Sequence, residues 1–176
     1  MVYFKVKIII VGEPGAGKSF IAKTTDACYP TRELGASIGK ITMNFQDTSC
    51  EMTLMTWAIT KGRPKESTHL EHAQAAIIVC DLTKPDTVLL TPVWADRVFN
   101  IVGDIPIFFA ANNAEMGTSE DLNLLKRVAD KFNASCFPIQ SEDRESVREL
   151  FRTIAQMLSN DLRSKKSVTQ EKISSF

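Results

Sequence analysis

Eight consecutive residues near the start of the chain have the types and the spacing that bind phosphate groups. The run reads Gly12-Glu13-Pro14-Gly15-Ala16-Gly17-Lys18-Ser19 and fully matches the pattern G-x-x-x-x-G-K-[S/T]. Glycines let the backbone wrap closely around phosphate oxygens, and successive N–H groups favour their negative charge. In such a loop Lys18 reaches the β- and γ-phosphates of a nucleotide, and Ser19 ligates Mg²⁺. The sequence therefore predicts a phosphate loop at residues 12–19.

The segments on both sides of this loop are those that must position it. The preceding run, 4–11, begins in alternation and becomes continuously apolar, which is typical of a strand buried on both faces. The residues from Ser19 to Ala27 suit a short helix. Similar patterns predict further strands at 40–45, 51–57, 75–80, 105–110 and 135–139, and helices at 88–102, from Thr118 or Ser119 to Phe132, and at 142–158.

The order of these elements indicates the fold class. Strands alternate with helices almost throughout, a pattern typical of an α/β protein with a mainly parallel sheet. We expect a three-layer fold with about six strands, helices on both faces, and one antiparallel edge strand from the hairpin at 40–57. We place the domain at residues 1–162. Residues 163–176 turn polar and aperiodic, and we expect a flexible tail there.

Composition narrows the functional classes. The chain has 176 residues, a formal net charge of zero and 44% hydrophobic residues, as expected of a globular protein without a nucleic-acid partner. Its four cysteines are not at metal-ligand spacing, which favours reduced thiols in a cytoplasmic protein. Residue 2 is valine and the last residues contain no cysteine, so we expect no lipid anchor on this chain.

The element order and several local runs resemble the Ras-like small GTPases, and the Rab branch most closely. The phosphate loop is the first of these runs. Ser37-Ile38-Gly39 resembles the Thr-Ile-Gly of the first switch and lies 19 residues after Lys18, as in that family. The runs at 76–83 and 146–151 resemble the fourth strand and the start of the last helix of Rab proteins. The resemblance covers about residues 3–160 and implies the P-loop NTPase fold of the Ras type.

The resemblance also implies a ligand and its base-binding residues. Asn112-Asn113-Ala114-Glu115 stands where the family has Asn-Lys-x-Asp, so Asn112 and Glu115 would read a guanine edge. Asn113 lacks the lysine's aliphatic stem and its charge, and Glu115 is one methylene longer than aspartate. Ser141 falls in a loose match to the family's Ser-Ala-Lys. The implied ligands are GTP or GDP with Mg²⁺, and a misplaced acceptor would erode the preference for guanine over adenine.

By the same resemblance, Ser37 would replace the switch threonine, ligating Mg²⁺ through its hydroxyl and contacting the γ-phosphate through its N–H. Effector or regulatory proteins would bind through residues 30–45 and 56–70. A serine in a loop without such a duty is the other interpretation of Ser37.

The second switch of the family requires Asp-x-x-Gly followed by a glutamine, and the chain lacks these residue types there. Between Phe45 and Asp81 the only aspartate is Asp47, and the only glutamines are Gln46 and Gln74. We therefore expect slow or absent GTP hydrolysis. Two functions stay open: a molecular switch that hydrolyses GTP slowly or not at all, and a pseudo-GTPase that acts as an interaction module with weak, base-promiscuous or no nucleotide binding.

Overall fold

The computed structural model describes residues 2–25, 27–31, 36–45, 50–59, 70–140 and 142–173. Within these ranges the strands are β1 (Val2–Val11), β2 (Ala27–Thr31), β3 (Ala36–Phe45), β4 (Cys50–Ile59), β5 (Ala75–Asp81), β6 (Ile107–Asn112) and β7 (Ser135–Ile139). The helices are α1 (Lys18–Lys23), α2 (Pro85–Leu89), α3 (Thr91–Val102), α4 (Ser119–Lys131) and α5 (Arg144–Ile173).

The described strands form one sheet in the order β2-β3-β4-β1-β5-β6-β7. β3 runs antiparallel to both of its neighbours, and all other pairs are parallel. This confirms the α/β fold with a mainly parallel sheet. The structure adds β2, so the antiparallel strand lies one position inside the edge. The sequence of β2 has no apolar pattern that predicts a strand. The strand is held by backbone pairing to β3, and Pro30 suits an edge strand.

Helices cover the sheet on both faces because the side chains of β1 alternate between two cores. Ile8 and Ile10 pack in a cluster with residues of α5 such as Phe151. Ile9 and Val11 pack in the other cluster with residues of α3 such as Trp94. The central strand β5 is buried along its whole length. Because β4, β1, β5, β6 and β7 are parallel, their carboxyl ends meet at one edge of the sheet, where the phosphate loop leaves β1.

The helix predicted at 88–102 is in fact two helices, α2 and α3, which join at Leu90. Pro92 has no N–H with which to bond the carbonyl oxygen of Val88. The hydroxyl of Thr91 donates to that oxygen instead, at 2.7 Å. The proline therefore breaks a continuous apolar pattern into two helices at this point.

The last helix extends beyond the predicted end of the domain. α5 continues from Arg144 to Ile173, so the backbone after residue 162 is helical where we expected no regular structure. The reason is that the lysines, glutamine and glutamate of this segment are good helix formers even without an apolar stripe. The domain boundary stays a prediction. None of the described helices is both long and apolar enough to cross a membrane.

Candidate functional site: the phosphate loop

The backbone of the phosphate loop adopts conformations that favour glycine. Gly12, Gly15 and Gly17 have φ values of 141°, 79° and 102°. At Gly12 a Cβ would overlap the carbonyl oxygen of Val79 in β5, so the chain can turn out of β1 only without a side chain. Gly17 is the N-cap of α1. The glycines predicted from the sequence motif are therefore required by the local geometry.

Lys18 is the buried cation of the site. Only 6% of the residue is exposed, and its ammonium donates to the carbonyl oxygens of Gly12 at 2.8 Å and Glu13 at 2.7 Å. Burial lowers the pKa of Lys18 from 10.5 to about 8, against the opposing effect of the Glu13 charge. The amine is thus mostly protonated at neutral pH. A phosphate oxygen is a stronger partner for an ammonium than a neutral carbonyl, so the loop is suited to an anion.

Side chains from three other segments hold the loop in place. Lys84, between β5 and α2, donates from Nζ to the carbonyl oxygen of Gly15 at 3.0 Å. Asn112, at the end of β6, donates from Nδ2 to the carbonyl oxygen of Ala16 at 3.2 Å. Trp94 in α3 donates from Nε1 to the carboxylate of Glu13 at 2.8 Å. These bonds fix successive parts of the loop from different directions.

The sequence analysis missed two of these contacts. Lys84 follows the end of β5 by three residues. A signal for it existed, because the carboxyl ends of parallel strands meet at the edge from which the phosphate loop leaves β1. Trp94 carried no such signal, since an aromatic residue on an apolar helix face is normally a core residue.

A carboxylate at the end of β5 links two of the segments around the loop. The Oδ1 atom of Asp81 accepts hydrogen bonds from the N–H and hydroxyl of Thr83 and from the side-chain amide of Asn113, at 3.0, 2.6 and 2.9 Å. Its Oδ2 lies 3.2 Å from the ammonium of Lys84. Burial alone would raise the pKa of Asp81, but the bonds from Thr83, Asn113 and Lys84 lower it below its ordinary value. Asp81 is therefore an anion with fixed partners.

The residues predicted to bind the base are only partly brought together. Asn112 is 3% exposed and contacts the phosphate loop. Asn113 adopts a positive φ of 54° and is bonded to Asp81. Glu115 lies exposed in the turn after β6. Ser141 lies outside the described residues. Among the predicted base-binding residues that the structure describes, Asn112 is thus the one whose side chain forms a hydrogen bond with the phosphate loop. The base-binding assignment stays a prediction.

The two hydroxyls predicted to ligate Mg²⁺ lie on different elements. Ser19 is exposed in the first turn of α1, directly after Lys18. Ser37 is half-buried in β3, opposite Ala58 of β4 and Pro30 of β2. Hydroxyl oxygens suit Mg²⁺, which binds few protein ligands besides waters and nucleotide phosphates. Ser19 fits that role by its position next to Lys18, and the role of Ser37 stays a prediction.

The glycine of the Ser37-Ile38-Gly39 run has a packing role. A Cβ at Gly39 would overlap the hydroxyls of Thr25 and Thr56, so this position brings β3 against the end of α1 and against β4. Of the segments predicted to bind partners, 30–45 and 56–70, residues 32–35 and 60–69 lie outside the described residues.

A parallel sheet whose first strand leads through a glycine loop with a buried lysine into a helix defines a P-loop nucleotide-binding protein. The model of the Ras family matches residues 7–160 of the chain. The chain therefore belongs to the Ras family, a family of small GTPases that act as nucleotide-binding switches. The match confirms the resemblance at the level of the family, and the placement in the Rab branch stays a prediction.

Proposed function

We propose that the protein is a guanine-nucleotide switch that hydrolyses GTP slowly or not at all. The observation that carries this proposal is the geometry around Lys18, whose buried ammonium is held by the carbonyl oxygens of Gly12 and Glu13. A protein maintains a buried lysine charge at a cost, and a bound phosphate repays that cost. The loop is thus preorganised for an anion, and we assign residues 12–19 to phosphate binding.

The low rate of hydrolysis follows from the residue types available. Mg²⁺ would keep Ser19 and Ser37 as ligands but would lack the family's outer-shell aspartate, since Asp47 is the only aspartate between Phe45 and Asp81 and lies in the turn of the predicted hairpin. Losses of this kind weaken metal binding or activity by roughly 10–100-fold. No glutamine is available to orient the attacking water, because Gln46 and Gln74 are not in the second switch.

A single-turnover assay tests this part of the proposal. The protein is loaded with GTP and Mg²⁺, and phosphate release is followed over many hours. We expect a rate below the intrinsic rate of this family, on the order of 10⁻⁴ s⁻¹. The variant Lys18→Met, prepared in the same way, reports contaminating phosphatase activity. A Lys18-dependent rate at or above the intrinsic value would contradict the proposal.

A pseudo-GTPase is the second candidate, and the environment of the base-binding residues favours it. Asn113 is engaged with Asp81, and Glu115 is exposed and longer than the family's aspartate. Weak reading of the guanine edge would follow. An interaction module of this kind would bind GTP and GDP equally or not at all, and a ligand with equal affinity for two states shifts neither.

Calorimetric titration of nucleotide-free protein separates the two candidates. GDP, a non-hydrolysable GTP analogue and an ATP analogue are each titrated with and without Mg²⁺. Tight guanine binding that differs between the GDP and GTP forms supports the switch. Equal affinities for GDP and GTP, a loose preference for the base, or no binding support the pseudo-GTPase.

We also propose the finer assignments that the resemblance implies. Effector or regulatory proteins would bind through residues 30–45 and 56–70, with Ser37 coupling the first segment to the γ-phosphate through Mg²⁺. Guanine would be read by Asn112 and Glu115, with Asn113 and Ser141 beside them. The Rab-like character and the cytoplasmic location belong to the same proposal.

A further inference from the structure

Lys84 is a cation at the phosphate loop that no part of the sequence motif supplies. Its Nζ atom donates to the carbonyl oxygen of Gly15 at 3.0 Å and lies 3.2 Å from Oδ2 of Asp81. The Lys84 side chain is 54% exposed, whereas that of Asp81 is only 5% exposed. A buried anion therefore orients an exposed cation toward the loop.

The partners of Asp81 make this orientation specific. Thr83 and Asn113 occupy Oδ1, which leaves Oδ2 for Lys84. Asn113 stands at the motif position where the family carries a lysine, and in this chain it has become a neutral donor to Asp81. Position 113, after β6, thus carries no positive charge, but Lys84, which follows the neighbouring strand β5, does.

The contact with Gly15 acts on a part of the loop with less steric restraint than Gly12. A Cβ at Gly12 would overlap the backbone of β5, but at Gly15 the nearest heavy atom to a Cβ would be the Lys84 ammonium, at 3.3 Å. The φ of 79° at Gly15 is open to glycine and disfavoured for other residues. The bond from Lys84 restrains the carbonyl oxygen of this peptide group, whose N–H donates to the carbonyl oxygen of Glu13 at 3.2 Å.

We propose that Lys84 is a nucleotide-positioning residue that fixes the Gly15 peptide of the phosphate loop and adds positive charge beside the bound phosphates. Asp81 and Asn113 orient Lys84, so the three residues take over the role of a cation in the Asn-Lys-x-Asp motif. This inference rests on the proposed nucleotide binding and names a residue outside the motifs that define it.

The test compares GDP dissociation from four forms of the full chain, followed with a fluorescent GDP analogue at fixed Mg²⁺. Lys84→Met keeps most of the aliphatic stem and removes the charge. Lys84→Arg keeps the charge. Lys126→Met removes a charge from an exposed position on α4, away from the loop, and serves as the matched control. Urea unfolding of each nucleotide-free form shows whether the variants fold equally well.

We expect Lys84→Met to speed GDP dissociation by roughly three- to tenfold, a modest effect because the ammonium is partly exposed to solvent. Lys84→Arg should stay within about twofold of the wild type, and Lys126→Met should not differ from it. The effect of Lys84→Met should shrink as salt is raised from about 0.05 to 0.5 M, since screening weakens the wild-type contact.

Several outcomes would overturn the inference. If Lys84→Met releases GDP at the wild-type rate, Lys84 does not position the nucleotide, although the proposed function stands. If Lys84→Arg releases GDP as fast as Lys84→Met, the charge is not what matters. If the wild type binds no GDP, the proposed function fails and the inference fails with it, and this result is distinct from the other two.

Discussion

Lys18 should make a contribution to the unfolding free energy of the nucleotide-free protein that rises with pH in the alkaline range. Burial lowers the pKa of this lysine from 10.5 to about 8 in the folded protein. Between these two values the unfolded chain holds a proton that the folded protein has released. At Lys18 the unfolded state therefore binds more protons, so the contribution of this residue to stability increases as pH rises through this interval.

The magnitude follows from the two pKa values. The cost of the buried charge is fully present below about pH 8 and is gone above 10.5. A pKa difference of this size corresponds to roughly 3 kcal/mol of unfolding free energy. Because Lys18 is only 6% exposed, solvent screening reduces this figure little. We expect roughly 2–3 kcal/mol to appear between pH 7.5 and 10.5.

Urea unfolding at several pH values, with Lys18→Met as the reference, isolates this contribution. Burial also lowers the pKa of Lys7 and raises the pKa values of Cys80 and Cys136, but all three residues are present in both proteins, so their contributions cancel in the difference. Lys18→Met carries no charge at this position, so its stability should lack the rise. The loss of two hydrogen bonds to backbone carbonyls lowers the variant's stability equally at each pH and does not change the slope.

A stability difference between the two proteins that stays constant from pH 7.5 to 10.5 would refute the reasoning. It would mean that the Lys18 amine keeps its ordinary pKa and is not desolvated by the loop. GDP affinity gives a second readout, since phosphate binds the protonated amine. That affinity should fall as pH rises above about 8.

Three further predictions concern the loop and its neighbours. Gly12→Ala should destabilise the protein by more than Gly103→Ala in urea unfolding. Both glycines have a positive φ, so alanine at either position should cost roughly 1–3 kcal/mol of backbone strain. Of the two, only at Gly12 would a Cβ overlap backbone atoms. Equal costs would contradict the close approach of the loop to β5. Glu115→Asp should strengthen GDP binding relative to ADP in competition assays, and an unchanged ratio would argue against a base-reading role. Trp94→Phe removes the indole that donates to Glu13, so the change in tryptophan fluorescence on GDP binding should largely disappear in this variant. If the fluorescence change persists, another tryptophan reports binding.

The local pattern of the sequence was sufficient for the phosphate loop and for most elements. Residues 12–19 have a motif whose meaning depends only on a strand before it and a helix after it, and both are present as β1 and α1. The buried strands β5 and β6 were predictable because both of their faces are apolar. Thr118 was predictable as an N-cap, and its hydroxyl accepts from the N–H of Asp121.

Other features had no apolar pattern that could predict them. β2 exists because its backbone pairs with β3, and the break at Leu90 depends on which donor replaces the missing N–H of Pro92. The helical backbone after residue 162 was not predicted because no apolar stripe continues there, whereas residues without one can extend an established helix.

The sequence by itself thus predicted a nucleotide phosphate site at residues 12–19, and it shows that no Asp-x-x-Gly followed by a glutamine lies between Phe45 and Asp81. Only the tertiary structure decided which side chains hold that site. Lys84, Trp94 and Asn112 lie 69, 81 and 96 residues from the loop atoms they bond. They meet the loop because the sheet places β1 beside β5 and β5 beside β6, so the ends of these strands converge at one edge.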